Sequence, residues 1–269
     1  SMYSCPAMGT DASAAPAELI AGELHGRHLN FGLGREHAAA AMCNGLAAYG
    51  AMVPYWRCPL ADLPNAWGAV RLSALGRFRI IHVATYDGSG ATEVATLCRA
   101  LPNLALFRPA DGTEVAAAYA AALASRSRPM VLVLPPPGSP KLEGSQIELA
   151  AKGGYIISDF PAGHPKSAIL VASGSEVQSC LAVQTQLVQD GKGLRVVSLP
   201  SWEIFEEQTE EYRRTVLPAM SEGSRKLPIF LAEHAAPIGF ERYAHFHLAA
   251  SGGPAGVNPE GLSTGSMAA

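Results

Sequence analysis

Hydrophobic and polar positions follow two alternating patterns along most of the chain: short apolar runs are followed by longer segments with helical spacing. The apolar runs have the length of strands, and their continuous apolar character is typical of strands buried on both faces. Because such runs alternate with helical segments, the pattern predicts an α/β fold with parallel sheets covered by helices. The predicted strands are 78–84, 104–107, 130–134, 154–157, 168–172, 194–199 and, as the last one, 228–232.

Local signals mark where the predicted helices begin and end. Asp111 precedes a helix over 113–124, and Glu114 follows Asp111 by three positions, which is the spacing of a capping box. A second long helix is predicted over 176–189 and ends at an Asp-Gly pair. Two short helices are predicted over 202–207 and 210–217.

A proline-rich stretch, Pro135-Pro136-Pro137-Gly138-Ser139-Pro140, interrupts this alternation. Three consecutive prolines cannot continue a central strand and favour an extended connection. We therefore expect a first domain over 1–137, a linker over 138–153 and a second domain over 154–250. Residues 251–269 are rich in glycine, proline, serine and alanine, and we expect a mobile tail there.

Composition narrows the class of protein. Hydrophobic residues make up 48% of the chain, charged residues make up 16%, and the formal net charge is −3 without a basic run. These values predict a well-buried globular protein and argue against a nucleic-acid or anionic-membrane partner. No apolar stretch has the length of a membrane span, and no secretory signal is recognisable, so we expect a cytoplasmic protein. The five cysteines have no metal-binding spacing, and we expect reduced thiols, with Cys43 and Cys180 in the core.

One turn carries candidate chemistry. Gly32-Leu33-Gly34-Arg35-Glu36-His37-Ala38 delivers a carboxyl group to the first turn of a helix that ends near Tyr49. The helix dipole and the free N–H groups favour an anion there. Taken alone, a glutamate in this position is an ordinary helix start, and Arg35 and His37 either orient the turn or form a surface pair.

The residues around this turn resemble the pyrimidine-binding domain of transketolase and its relative dihydroxyacetone synthase over 28–75. The resemblance extends from about Asp11 to Tyr243 and implies a pyrimidine-binding domain of the thiamine-enzyme fold followed by a transketolase C-terminal domain. It rests on these segments: Gly34-Arg35-Glu36-His37-Ala38, Cys43-Asn44-Gly45-Leu46-Ala47, Val70-Arg71-Leu72-Ser73-Ala74-Leu75, Arg108-Pro109-Ala110-Asp111, Ser173-Gly174-Ser175-Glu176-Val177, Val196-Val197-Ser198-Leu199-Pro200-Ser201 and Gly239-Phe240-Glu241-Arg242-Tyr243-Ala244.

The resemblance also implies site residues. In that family the glutamate after Gly-x-Arg activates thiamine diphosphate, which makes Glu36 the expected catalytic and cofactor-binding residue. Asp11 is a candidate at the cofactor edge, with a loop or cap aspartate as the alternative. Tyr55 or Trp56 could replace the family's ring that stacks on the pyrimidine, with buried packing as the alternative for each.

Several family features are missing. We find no trace of the N-terminal domain that binds the diphosphate through magnesium, and the glycine-rich loop after Thr85-Tyr86-Asp87-Gly88 is deleted. Pro59 stands about where the stacking ring belongs, Tyr86 replaces a histidine, and 135–137 replace the Ser-Arg-Gln that grips a sugar phosphate. These losses favour a small carbonyl substrate over a sugar phosphate.

Three functions compete at this point. In the first, the chain is one subunit of a two-component thiamine diphosphate-dependent transferase, inactive alone, whose partner supplies the diphosphate-binding domain and its magnesium in a hetero-oligomer. In the second, the chain is a catalytically degenerate structural or regulatory subunit. In the third, ranked last, Ser173-Gly174-Ser175 at a helix start holds the anion of a nucleotide or thiamine-like ligand.

Overall fold

The computed structural model describes residues 7–9, 28–32, 34–86, 93–218 and 227–249. The chain forms two compact units, which we call unit 1 and unit 2. Unit 1 contains residues 1–107 and 118–137, and unit 2 contains residues 108–117 and 138–269. Residues 108–117, which the sequence placed in the first domain, therefore pack with the second unit. The predicted tail over 251–269 lies outside the described residues.

Unit 1 is built on a six-stranded sheet. The strands are β1 (Ala7–Gly9), β2 (His28–Asn30), β3 (Tyr55–Pro59), β4 (Ile81–Thr85), β5 (Ala105–Phe107) and β6 (Met130–Val133). All pairs are parallel, and the strand order is β2-β1-β3-β4-β6-β5. The predicted β4, β5 and β6 form, and their residues are almost wholly buried because helices cover the sheet.

The helices of this half of the chain follow the strands in alternation. α1 packs on α2 and on a 3-10 segment over Leu60–Ala66, which connects β3 to α2. The first part of α4 belongs to unit 2 and the second part to unit 1. The helices are α1 (Glu36–Tyr49), α2 (Trp67–Leu75), α3 (Glu93–Arg99) and α4 (Gly112–Ala124).

Unit 2 is built on a five-stranded sheet with the order β11-β10-β8-β9-β7, in which only the edge strand β7 runs antiparallel to its neighbour. Apolar side chains fill both faces of this sheet, and Cys180 lies in one of these two cores. The elements are α5 (Ile147–Ala150), β7 (Tyr155–Ser158), β8 (Lys166–Ala172), α6 (Glu176–Gln189), β9 (Gly193–Ser198), α7 (Trp202–Glu206), α8 (Glu210–Val216), β10 (Ile229–Glu233) and β11 (Phe246–Ala249).

The fold class predicted from the pattern is confirmed, because both sheets are mostly parallel and alternate with helices. The expectation that 228–232 is the last strand was wrong. β11 follows and pairs in parallel with β10, with Phe246 opposite Phe230. The expected burial of Cys43 and Cys180 is confirmed, since both side chains are fully buried.

Candidate active site

Glu36 reaches its position because a glycine-rich turn connects β2 to α1. Gly32 and Gly34 have φ values of 73° and 76°, in the left-handed region that glycine adopts at little cost. The turn ends at Arg35, and Glu36 is the first residue of α1. Because α1 follows a parallel strand, its N-terminus lies at the carboxyl edge of the sheet, where open α/β sheets place their ligands.

The Glu36 side chain is buried, with 2% of its surface exposed. The backbone N–H of Gly34 donates to Glu36 Oε1 over 3.0 Å. Among the described residues, Oε2 has no hydrogen-bond partner and no cation pairs with the group. An oxygen that the described residues leave without a partner can accept a hydrogen bond from a ligand, which favours a functional role for Glu36.

The neighbours of Glu36 hold the turn and the helix. Arg35 Nη1 donates to the carbonyl of Phe31 over 3.3 Å, and the carbonyl of Arg35 accepts from the N–H of Ala39 over 3.1 Å. The ring of His37 lies against Gly68 of α2, where an added Cβ would come within 3.1 Å of His37 Cε1. Both side chains therefore support the local fold around Glu36.

Other residues end at the same edge of the sheet. Pro59 ends β3 and pairs in register with Thr85 at the end of β4. The Thr85 hydroxyl donates to the carbonyl of Cys58 over 3.2 Å, which ties the two strand ends together. Tyr86 follows β4 with 44% of its surface exposed, and Pro135 follows β6 closely. The end of β3 thus carries a proline where the family resemblance implies an aromatic ring that stacks on the pyrimidine.

Tyr55 and Trp56 lie at the opposite end of β3. Tyr55 is the first residue of the strand and Pro59 is the last, so about 13 Å of strand separates them at the usual rise per residue. Trp56 is fully buried. This placement supports the packing alternative for Trp56, and the proposed cofactor contact of either residue stays a prediction. Asp11 lies outside the described residues.

Trp56 belongs to a buried polar relay that the sequence did not reveal. The indole Nε1–H donates to His82 Nδ1 over 2.5 Å, and His82 Nε2 lies 3.0 Å from the hydroxyl of Ser73. Because Nδ1 accepts, the ring is neutral and Nε2 donates to Ser73, whose hydroxyl donates to the carbonyl of Val70. Burial lowers the pKa of His82 from 6.5 to about 3. The sequence signal that could have revealed this relay is the histidine, His82, within an otherwise apolar strand.

One half of the predicted capping box at α4 is present, and the Glu114 side chain reaches one residue further back, to Ala110 instead of Asp111. The N–H of Glu114 donates to Asp111 Oδ1 over 2.9 Å, and Glu114 Oε2 accepts from the N–H of Ala110 over 2.7 Å. Sequence reasoning missed the long-range partners of Glu114: the hydroxyls of Tyr155 and Ser198 donate to Oε1 over 2.8 and 2.7 Å. Burial raises the pKa of Glu114, opposed by these hydrogen bonds.

The Ser173-Gly174-Ser175 turn does lie at the start of α6, but its hydroxyls are engaged by carboxyl groups of the same chain. Ser173 Oγ donates to Glu233 Oε2 over 2.8 Å, and Ser175 Oγ donates to Glu176 Oε2 over 3.1 Å. Negative groups therefore occupy the place where the third hypothesis puts an anion. This arrangement gives no support to an anion site there.

The described ranges contain no group of three or more His, Cys, Asp or Glu side chains that could hold a metal ion. Within the same ranges, no helix combines the length and apolar character needed to cross a lipid bilayer.

Two families of known protein domains match the chain, one after the other. The family described as the transketolase pyrimidine-binding domain matches residues 8–138, and the transketolase-like C-terminal domain matches residues 153–257. The chain belongs to the transketolase family. It consists of a transketolase pyrimidine-binding domain followed by a transketolase C-terminal domain, as the resemblance implied.

Similar proteins include a probable transketolase of Schizosaccharomyces pombe, 41% identical over 87% of this chain and 35% of the relative. Transketolase 1 of Candida albicans is 42% identical over 83% of this chain and 33% of the relative. The chain thus spans about a third of the length of these transketolases.

Solved structures agree on the fold. The structure of transketolase from Leishmania mexicana has a TM-score of 0.79 and 34% identity, over 91% of this chain and 38% of that protein. A structure described as a split-gene transketolase, an inactive β4 tetramer, has a TM-score of 0.65 and 21% identity. It covers 87% of this chain and 78% of that protein, so at this identity it supports the shared fold.

Proposed function

We propose that this chain is one subunit of a two-component, thiamine diphosphate-dependent transferase that moves a two-carbon or acyl unit between carbonyl compounds. The observation that carries the proposal is Glu36: a buried carboxyl group with an oxygen unused among the described residues, at the start of α1 in a transketolase pyrimidine-binding domain.

The chemistry assigned to Glu36 is proton exchange. When bound, thiamine diphosphate would supply the stabilisation that lets a carbonyl carbon carry negative charge. A carboxyl group beside one ring nitrogen of the aminopyrimidine can hold or release the proton of that nitrogen and so favour its imino form. Oε1 is fixed by the N–H of Gly34, which leaves Oε2 for the ring nitrogen. Glu36 fits the cofactor, whereas Pro59 offers no ring for stacking.

A partner is proposed for the other half of the cofactor. The two domains that match family models are the pyrimidine-binding and C-terminal domains, and the described residues contain no group of three or more His, Cys, Asp or Glu side chains that could hold a metal ion. The partner would supply the diphosphate-binding domain and its magnesium. A protein of the same fold exists as the product of a split gene and is described as an inactive β4 tetramer, which fits a chain that is inactive alone.

The exposed side of α1 and α2 supports such a partner. α1 and α2 pack against each other, and each leaves large apolar side chains exposed. Large apolar side chains on a protein surface are typical of interaction sites when they are covered by a partner. These side chains are Met42 and Tyr49 on α1, and Leu72 and Leu75 on α2.

The proposed substrate is a small aldehyde, ketone or keto acid. Phosphate groups are recognised by cationic side chains and backbone donors, and prolines 135–137 stand where the family has a phosphate-gripping arginine. A substrate without a phosphate needs no such group.

A second candidate function is a catalytically degenerate subunit that stabilises or regulates an active transketolase-like partner. Pro59 at the end of β3 and Tyr86 after β4 favour it, because both replace groups that the family uses around cofactor and substrate. In this case Glu36 would have no effect on turnover.

Turnover of the complex co-purified with the native partner distinguishes the two functions. Glu36→Gln keeps the shape of the side chain but removes its acid–base function, so we expect turnover to fall on the order of a hundredfold or more. The matched control is Glu93→Gln, since Glu93 is also the first residue of a helix but is exposed. Equal turnover in both variants would reject the catalytic role and favour the regulatory one.

A further inference from the structure

The strand order of unit 2 reverses at β8, and we call the space outside the carboxyl ends of β8 and β10 the crevice. From β8 the chain continues to β9 on one side and later returns to β10 on the other side of β8. In open α/β sheets, ligands bind outside the carboxyl ends of strands at such a reversal. Here Ser173 follows β8, and Glu233 is the last residue of β10. Both side chains are buried.

The side chain of Arg108 occupies this crevice. Arg108 Nη1 donates to Glu233 Oε1 and, over 3.2 Å, to Ser173 Oγ. Nη2 donates to Glu176 Oε1 over 3.2 Å. The guanidinium fork is therefore held by two carboxyl groups and one hydroxyl, which is the chemistry of a guanidinium site.

The backbone of Arg108 is fixed as well. Its N–H donates to the carbonyl of Pro200 over 2.8 Å, and its carbonyl accepts from Gly174 over 3.0 Å. Gly174 has a φ of 63°, and an added Cβ would lie 3.3 Å from Arg108 Nη2. A side chain at Gly174 would therefore press on the guanidinium.

The charge balance depends on Arg108. Glu176 and Glu233 are almost fully buried, and His234 Nδ1 lies 2.8 Å from Glu176 Oε1. Burial by itself would raise the pKa of Glu176, but the Arg108 charge and the His234 ring outweigh burial and lower it well below the ordinary value. Without Arg108, Glu233 would lose its ion pair with the guanidinium, and Glu176 would keep the His234 ring but lose the Arg108 charge.

The residues after Arg108 continue the contact. Ala110 and Ala117 lie in an apolar core of unit 2. Asp111 Oδ2 accepts from the N–H of Leu142 over 2.9 Å, and Asp111 Oδ1 accepts from the hydroxyl of Ser145 over 3.0 Å. The segment thus contacts the rest of unit 2 through the Arg108 cation, the carboxyl groups of Asp111 and Glu114, and small apolar side chains.

We infer that residues 108–117 act as a tethered ligand of the rest of unit 2, residues 138–269, with the Arg108 guanidinium filling the crevice that a small molecule would otherwise occupy. The crevice is a guanidinium site, and its occupant is part of the same chain. Unit 2 uses its strand reversal to bind this segment rather than a substrate, nucleotide or free anion.

Chemical rescue tests the inference on the full chain. Arg108→Ala empties the crevice, and we expect the melting temperature to fall by about 10 °C, because removing one partner of a buried ion pair is strongly destabilising. Millimolar methylguanidinium, far below denaturing concentrations, should then raise the melting temperature of the variant saturably, by about 3 °C. Methylammonium, which lacks the planar fork, should rescue less.

The controls are wild type and Arg214→Ala. Arg214 forms an exposed ion pair with Glu210, so its removal should change little. Methylguanidinium should raise the melting temperature of neither control. The inference is overturned if Arg108→Ala is as stable as Arg214→Ala, or if methylguanidinium stabilises wild type as much as the variant.

A fallback covers the case in which Arg108→Ala does not fold. Its refolding yield should then rise with methylguanidinium but not with methylammonium, and an unchanged yield would reject the site. Arg108→Lys keeps the charge without the fork and should have a melting temperature between those of wild type and Arg108→Ala. A wild-type melting temperature in Arg108→Lys would contradict guanidinium recognition.

Discussion

Glu36 at the edge of the first sheet and Glu233 at the edge of the second are both buried carboxyl groups, and they differ in what surrounds them. Glu233 accepts from Arg108 and Ser173 within a dense ionic cluster. Glu36 accepts one backbone hydrogen bond and, among the described residues, has no cation beside it. Glu233, whose two oxygens both accept hydrogen bonds, stabilises its unit. Glu36 has an oxygen available to a ligand.

The largest expected effect separates these two groups by stability. Glu233→Ala leaves Arg108 with a single carboxyl partner and the Ser173 hydroxyl without an acceptor, so we expect a loss of about 3–5 kcal/mol in the free energy of unfolding. Glu36→Ala removes an underused buried group, and we expect a change of no more than about 1 kcal/mol. Denaturant unfolding of the full chain measures both values. A larger loss for Glu36→Ala than for Glu233→Ala would break the comparison.

A smaller effect concerns pH and the buried relay in unit 1. The folded-state pKa of His82 is about 3 and the ordinary value is 6.5, so between these values only the unfolded state takes up the proton. Stability is therefore lost as pH falls from 6.5 towards 3. We expect His82 to account for a loss of about 2 kcal/mol between pH 7.5 and pH 5.

The control for the pH effect is His82→Asn, whose amide keeps an acceptor for Trp56 but does not titrate. Unfolding curves at the two pH values should show a loss of stability in the variant smaller than in wild type by that amount. If both proteins lose the same stability over this range, His82 is not the group responsible.

The smallest expected effect tests the missing stacking ring. Pro59 ends β3 at the same sheet edge as the start of α1, and Pro59→Phe places a ring there. Aromatic stacking contributes about 0.5–1.5 kcal/mol, so the complex with its partner should bind thiamine diphosphate roughly threefold more tightly or better. Tyr55→Phe, changed at the far end of β3, should leave the affinity unchanged. If Tyr55→Phe binds thiamine diphosphate more tightly and Pro59→Phe does not, the pyrimidine lies at the Tyr55 end of β3, contrary to the proposal.

Features set by short-range pattern could be predicted from the sequence. The apolar strand 130–134 and the Asp111 cap at the start of α4 depend on neighbours within a few residues, and both formed. β11 was missed because Phe246-His247-Leu248-Ala249 is short and follows a segment without periodicity.

The remaining site features depend on long-range pairing, which spacing does not encode. Arg108 meets Glu233 across 125 positions in the chain, so the basic residue after β5 gave no local sign of its partners. The same holds for Trp56 and His82, 26 positions apart. Tyr55 lies at the far end of β3 from Pro59 because the strand begins at Tyr55. A sequence pattern defines the bounds of a strand only loosely, so this placement could not be predicted.

The most direct test of the central proposal is calorimetric titration of thiamine diphosphate with magnesium into this chain alone and into its complex with the native partner. We expect binding only in the complex, and weaker binding when the complex carries Glu36→Ala. Tight binding by the chain alone would contradict the two-component proposal, and equal binding by the wild-type and Glu36→Ala complexes would contradict the role of Glu36.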